Sequence, residues 1–177
     1  MSNASLYEYL REHVRQNAVR HYLEIGTREG DSLRVVLEEN DGTLESVWLA
    51  DTWGTDYGGT GRGSHQHIEQ LLDDFNFEGR RAYLDGNSRD TIPALYPEKL
   101  NCFDLVLVDG DHSYDGAMAD LNNVWPVTRW GGAIVFHDIC HPAHKDLRKC
   151  FDDFVDQYLA PSKVIAEGYG VGIVWKR

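Results

Sequence analysis

Carboxylates and imidazoles recur in this chain directly after short apolar runs. Asp109-Gly110-Asp111-His112 follows Phe103–Val108, and His137-Asp138 follows residues 133–136. Glu24 lies in the run 22–25, Asp51 ends the run that starts at Ser46, and Asp85 follows residues 82–84. Asp and His in such numbers can hold a divalent cation or move a proton near neutral pH. Asp109, His137 and Asp138 are the candidate cation set; an ion there would act as a Lewis acid and lower the pKa of a bound hydroxyl. Without an ion, His112 or His137 is the candidate general base. His141 and His144 extend the cluster, although Pro142 argues against a regular helical pair. Read singly, each residue is a loop-start cap. Read together, that explanation weakens, because the charge gathers at one kind of position.

A glycine loop, Gly26-Thr27-Arg28-Glu29-Gly30, separates the first apolar run from a helix expected over 33–39. A strand, a glycine loop and a helix in that order aim backbone N–H groups at a ligand. The dinucleotide pattern G-x-G-x-x-G fails here, since Arg28 stands at the second glycine and Glu29 adds a negative charge. No G-x-x-x-x-G-K-[ST] occurs, which excludes a P-loop. An acid at the strand end suits a ligand with a cationic or hydroxyl-rich part. S-adenosylmethionine, with its amino group, sulfonium and ribose, is such a ligand; an ordinary βα turn explains the stretch equally well. Asp31 or Ser32 is the expected helix cap. Asp51 lies 25 positions past Gly26, near the spacing of roughly 20 at which α/β folds hold a ribose. Asn87 and Ser88 can meet an adenine edge or make a plain turn.

These groups need a frame that brings them to one place. Residues 5–19 read as an amphipathic helix, and strands are expected at 21–25, 46–52, 82–84, 103–108 and 133–136. Helices are expected at 65–75, 91–96, 114–124 and 145–159, and a closing hairpin at 163–166 and 171–175. The near-continuous apolar run Phe103–Val108 predicts a strand buried on both faces, as in a parallel sheet. The alternation predicts an α/β, doubly wound, mostly parallel sheet with helices on both faces and a late antiparallel hairpin. In such a sheet the C-terminal strand ends face one crevice. Residues 53–64 carry Gly54, Gly58, Gly59, Gly61 and Gly63 among Trp53, Tyr57 and Arg62, a pattern of either a lid or a loose loop. His65 and His67 read as solvated residues at a helix start.

Composition bounds the rest. The chain has 177 residues, 42% of them apolar and 11% aromatic, which fits a single globular domain over 1–177. A formal net charge of -12 argues against a nucleic-acid partner, which demands clustered Lys and Arg. No run approaches the roughly 20 apolar residues of a membrane span. The start lacks the sections of a signal peptide, and a cytoplasmic location is expected. Ser2-Asn3-Ala4 is set aside as natural sequence or expression scar. Cys102, Cys140 and Cys150 show no metal spacing and read as reduced thiols. The Trp125 and Trp130 pair and the glycine loop are candidates for a homodimer face as readily as for core or lid.

At this point the motifs resemble a known family. Residues 23–30, Leu-Glu-Ile-Gly-Thr-Arg-Glu-Gly, resemble the first motif of class I S-adenosylmethionine-dependent methyltransferases. The missing glycine is similar to the small-molecule O-methyltransferase branch, Methyltransferase 24-like sequences included. Residues 104–114 and 130–138 resemble the fourth and fifth strand motifs, and 164–176 the terminal hairpin. The resemblance implies a Rossmann-like seven-stranded sheet, S-adenosylmethionine as cofactor, a small-molecule acceptor and methylation on oxygen. It places Glu24, Gly26, Thr27 and Gly30 around the methionine part and Asp51, with Thr52, at the ribose. It sets Asp85, Gly86, Asn87 and Ser88 beside the adenine. Asp109 would face the amino group or a metal, with Asp111 and His112 beside it. The implied catalytic set is His137, Asp138 and His112. Catechol-type relatives pair an acid after strand four with Asp-Asn or Asp-Asp after strand five. Here that pair is His137-Asp138, which favours a softer divalent ion such as Mn, Fe or Zn, or none. Two other readings stay open: a metal-dependent hydrolase using Asp109, Asp111, His112, His137, Asp138 and His141, and a non-catalytic nucleoside-binding module.

Overall fold

The computed structural model describes residues 3–53 and 63–177. Strands β1 (His21–Ile25), β2 (Ser46–Asp51), β3 (Arg80–Asp85), β4 (Phe103–Val108), β5 (Thr128–His137), β6 (Ser162–Ile165) and β7 (Val171–Trp175) form one seven-stranded sheet. Their spatial order is β3-β2-β1-β4-β5-β7-β6. The first five strands run parallel, and β7 is antiparallel to both β5 and β6. Helices α1 (Ala4–Gln16), α2 (Asp31–Glu39), α3 (His65–Asp74), α4 (Ser88–Thr91), α5 (Tyr96–Lys99), α6 (Tyr114–Val127) and α7 (Asp146–Tyr158) connect and cover them.

Strand alternation divides the core in two. Tyr22, Val47, Leu49, Leu105, Leu107, Val135 and Ile173 point to one face, where Leu6, Leu10, Leu33, Val36, Ile68 and Leu72 of α1, α2 and α3 cover them. Leu23, Trp48, Val106, Val108, Ile134 and Val174 point to the other, against Leu121 and Val124 of α6 and Phe151 and Phe154 of α7. All six residues of β4 are buried, which is why that run is apolar except for Asp104. Lys176, just past β7, ties that strand to α6. Its buried Nζ donates to Asn101 Oδ1 at 2.9 Å and to the carbonyls of Trp125 and Thr128 at 2.8 and 2.9 Å.

Several elements depart from the sequence expectation for identifiable reasons. The expected helix at 91–96 is three short turns, α4, a 3-10 helix Pro93–Leu95, and α5, because Pro93 and Pro97 each open a new turn. Helix α6 runs on through Pro126 to Val127. Strand β5 starts at Thr128, and residues 129–131 near its start are exposed, so they break the apolar run. Neither Asp31 nor Ser32 caps α2. Gly30 takes the cap position at φ +78°, and Ser32 turns its hydroxyl elsewhere. Trp125 stacks on Tyr158 at 4.3 Å and meets Phe154 edge-on, so it belongs to the α6–α7 contact; Trp130 is exposed. No helix among the described residues is long and apolar enough to cross a membrane. Most of the glycine-rich stretch, 54–62, lies outside the described residues.

Candidate active site

Strand register brings the chemistry together. Ile25 pairs with Ala50 on one side and Val108 on the other, and Val108 pairs with Phe136. Ile25, Ala50, Val108 and Phe136 therefore stand level on four adjacent strands, and the residues that follow them are Gly26, Asp51, Asp109 and His137. Backbone bonds hold the exits in line: Gly26 N donates to Ala50 O, Asp109 N to Ile25 O and Gly86 N to Asp51 O, at 2.9 to 3.0 Å. Gly26 sits at φ +86°, and any side chain there would run into the Asp109 carbonyl. The loops after β1 and β4 are thus in backbone contact where the strand order reverses, the place at which open α/β sheets bind ligands.

A cavity of about 770 Å³ opens there, within the range of roughly 300–1,000 Å³ typical of small-molecule sites. Gly26, Asp51, Thr52, Gly86, Asn87, Ser88, Asp109, Asp111, His112, His137 and Asp138 line it, which brings most of the sequence-derived set onto one surface. Asp51 accepts Arg28 N through Oδ2 and Trp53 N through Oδ1, both at 2.8 Å. Each oxygen keeps a further lone pair, so the carboxylate can still accept the two hydroxyls of a ribose. Arg28 stands at φ +50°, the left-handed geometry that a glycine would supply in a dinucleotide fingerprint.

Four expected contacts lie off the cavity. Glu24 is fully buried beneath the loop, where Tyr22 Oη donates to it at 3.1 Å and Ser32 Oγ donates to its other oxygen. Burial pushes its carboxyl up to about 8, more than the two hydroxyls lower it. Glu24 therefore ties the end of β1 to the first turn of α2 through Ser32. Thr27 is buried with its hydroxyl unpartnered, and Gly30 serves as the α2 cap. Asp85 accepts Trp53 Nε1 and faces His65 Nε2, both at 2.8 Å. His65 also stacks on Tyr83 with centroids 4.3 Å apart. It is thus an engaged residue rather than the solvated helix-start histidine expected from sequence, because β3 brings Asp85 alongside it.

At the opposite end of the cavity the acids and imidazoles interlock. His137 Nδ1 lies 3.2 Å from Asp109 Oδ2 and 3.4 Å from Asp138 Oδ1. His112 Nε2 lies 3.5 Å from Asp109 Oδ1 and 3.4 Å from Asp138 Oδ2. Burial alone would raise the Asp109 carboxyl, but the hydrogen bonds and charges of His112 and His137 hold it below the usual carboxylate range. The Asp109 bond raises His112; burial opposes Asp109 and Asp138 at His137, and the acids prevail. Burial raises Asp138, which stands at φ +61°. Two carboxylates close to two imidazoles are a donor set that a divalent cation can use. The donor spacings of 3.2 to 3.4 Å around His137 match the edge of about 3.3 Å of a tetrahedral shell with bonds of 2.0–2.1 Å. Asp109, His137 and Asp138 therefore fit a cation.

The cavity wall also holds residues that sequence reading did not select as donor contacts. Asp120 is fully buried on α6, and Ser88 Oγ donates to its Oδ1 at 2.5 Å. A visible signal existed: Asp120 falls on the buried helical face with Gly116, Ala117, Leu121 and Val124. Arg28, Arg89 and Tyr169 line the cavity as well, and so does Asn3, which the sequence argument had set aside. Tyr169 comes from the turn between β6 and β7, and no local pattern points to it.

A parallel sheet with a C-terminal antiparallel hairpin, and a cavity at the β1–β4 switch point, define the class I S-adenosylmethionine-dependent methyltransferase fold. Residues 23–139 match the model of a family described as a methyltransferase domain, and the chain belongs to that family. An O-methyltransferase from Bacillus cereus, solved in complex with SAH, is similar with a TM-score of 0.74, covering 99% of this chain and 83% of its own at 17% identity. The SAH-bound methyltransferase PaMTH1 of Podospora anserina gives 0.69, covering 100% and 80% at 17% identity. The O-methyltransferase NovP gives 0.70, covering 97% and 79% at 19% identity. At these identities the likeness establishes the fold. A search of curated proteins by sequence returns no match.

Proposed function

We propose that this protein moves the methyl group of S-adenosylmethionine to a hydroxyl of a small-molecule acceptor. One observation carries the reading: a single cavity receives the Gly26 loop, Asp51, the 86–88 turn and the Asp109–His112–His137–Asp138 cluster. The similar structures with SAH bound, and the O-methyltransferases among them, support it. In this reading Asp51 accepts the ribose hydroxyls, the 86–88 turn borders the adenine, and Asp109 faces the methionine amino group.

The acceptor hydroxyl then lies against the cluster. Its proton passes to an imidazole nitrogen of His137 or His112, or to Asp138. The oxygen lone pair attacks the methyl carbon, the carbon–sulfur bond breaks, and its electrons stay on sulfur, which leaves a neutral thioether. Most of the rate comes from holding oxygen, carbon and sulfur in line. A divalent cation held by Asp109, His137 and Asp138 would supply Lewis acidity toward the acceptor oxygen when bound. Asp109, so held, is no longer free to pair with the amino group. The net charge of -12 supports a small acceptor over a nucleic acid.

The test is transfer of tritium from methyl-labelled S-adenosylmethionine to a panel of phenols, sugars and hydroxy acids. Transfer to at least one is expected, with His137→Ala slower by roughly 100-fold or more, the usual contribution of a general base. A protein that binds SAH yet methylates none of them is a nucleoside-binding module, and the catalytic reading fails. The hydrolase alternative rests on the same cluster and gains no observation of its own.

A further inference from the structure

The acid–imidazole cluster contains a second donor set, in which His144, unused in the reading above, joins His112 and Asp138. His144 lies in the turn before α7, and its ring sits 4.3 Å from that of His112, centroid to centroid. One ligand atom each from His112, Asp138 and His144 falls within 4.8 Å of the other two. Asp138 faces both ways: Oδ1 looks to His137 at 3.4 Å and Oδ2 to His112 at 3.4 Å. Asp138 is buried, and its Oδ1 accepts no hydrogen bond. His141 is spoken for, since Ala143 N donates to its Nδ1 at 3.1 Å.

We propose that His112, Asp138 and His144 form a cation site of their own, which Asp138 joins to the Asp109–His137 pair. Two imidazoles and one carboxylate are the donor chemistry of zinc and its borderline neighbours, whereas magnesium takes oxygen donors and keeps its waters. All three residues line the cavity, as Tyr169 and Asp51 do; Asp138 leaves β5, three places along the sheet from β2, which carries Asp51. An ion there would sit where an acceptor oxygen is handled, and it would not require Asp109. The site stands independently of the methyl-donor reading.

Zinc chloride titrated by calorimetry into the wild-type protein, Asp109→Asn, His144→Ala and His67→Ala tests this. His144→Gln serves as a second variant should the alanine form fail to fold, and far-UV circular dichroism checks each protein. Wild type, D109N and H67A are expected to bind zinc, and the His144 variants to bind it at least about 10-fold more weakly, since even residues outside the ligand shell affect affinity that much. Magnesium chloride is expected to give no comparable heat at this site. Zinc binding that survives in the His144 variants but vanishes in D109N places the ion on the Asp109 set and overturns the proposal. Equal weakening in H67A marks surface histidines as the ligands and overturns it too, as does a wild type that takes up no zinc. SAH titrated into the same samples separates the two readings. SAH binding without zinc removes only this site, and zinc binding without SAH removes only the methyl-donor function.

Discussion

Glu24 shows what residue type alone leaves out. Its place at a strand end suggested a cofactor contact, yet the side chain points under the loop to Tyr22 and Ser32. Strand alternation sets that direction, because Leu23 and Ile25 face the α6 side and Glu24 faces the other. A consequence follows for stability. The folded carboxyl titrates near 8 and the unfolded one near 4.5. Between those values the native state holds a proton that the unfolded state has lost, so stability falls as pH rises through the window. The contribution is complete below the unfolded value and gone above the folded one, at up to about 1.4 kcal/mol per pH unit. Glu24→Gln, which cannot ionise, is expected to remove this slope. Urea denaturation of both proteins at about pH 5 and about pH 8 reads the difference, and parallel pH dependences would contradict it. Asp51 lines the cavity, and its carboxylate keeps lone pairs to spare there. Asp120 and His65 escaped because their partners, Ser88 and Asp85, come from distant stretches of chain.

The element that matters most is the turn from β1 to α2. Gly26 was legible as a turn residue, but sequence could not say that it abuts the Asp109 carbonyl across the sheet. Gly26→Ala places a methyl group in the left-handed region, at about 1–2 kcal/mol, and drives it into that backbone. A loss of at least about 2 kcal/mol in urea is expected, and an unchanged midpoint would show that the loops are not in contact. Strand cores were readable wherever burial on both faces left an apolar run, as in β4. Ends were not: β5 has exposed residues at 129–131, and Pro93 and Pro97 split the stretch after α4 into short turns, so hydrophobic period gives no warning of either. His144 belongs to this scale as well, because only the turn after β5 folds it back over His112.

For the whole molecule, the alternation of strands and helices was enough to anticipate a doubly wound sheet with a final hairpin. What it could not supply was register. The cavity exists because Ile25, Ala50, Val108 and Phe136 stand level, so that four loops leave the sheet at one height. A ligand spanning those loops binds the native state alone and stabilises it by about 2.7 kcal/mol at 100-fold excess over Kd. The central claim is that these strand tips share one cleft shaped for a methyl donor. Calorimetric titration of SAH into the wild-type protein and Asp51→Ala tests it most directly. The expected result is one SAH per chain for wild type and an affinity about 10- to 100-fold weaker for D51A, the value of hydrogen bonds to a charged group. A folded wild type that gives no heat with SAH, or a D51A protein that binds as tightly, would contradict the account.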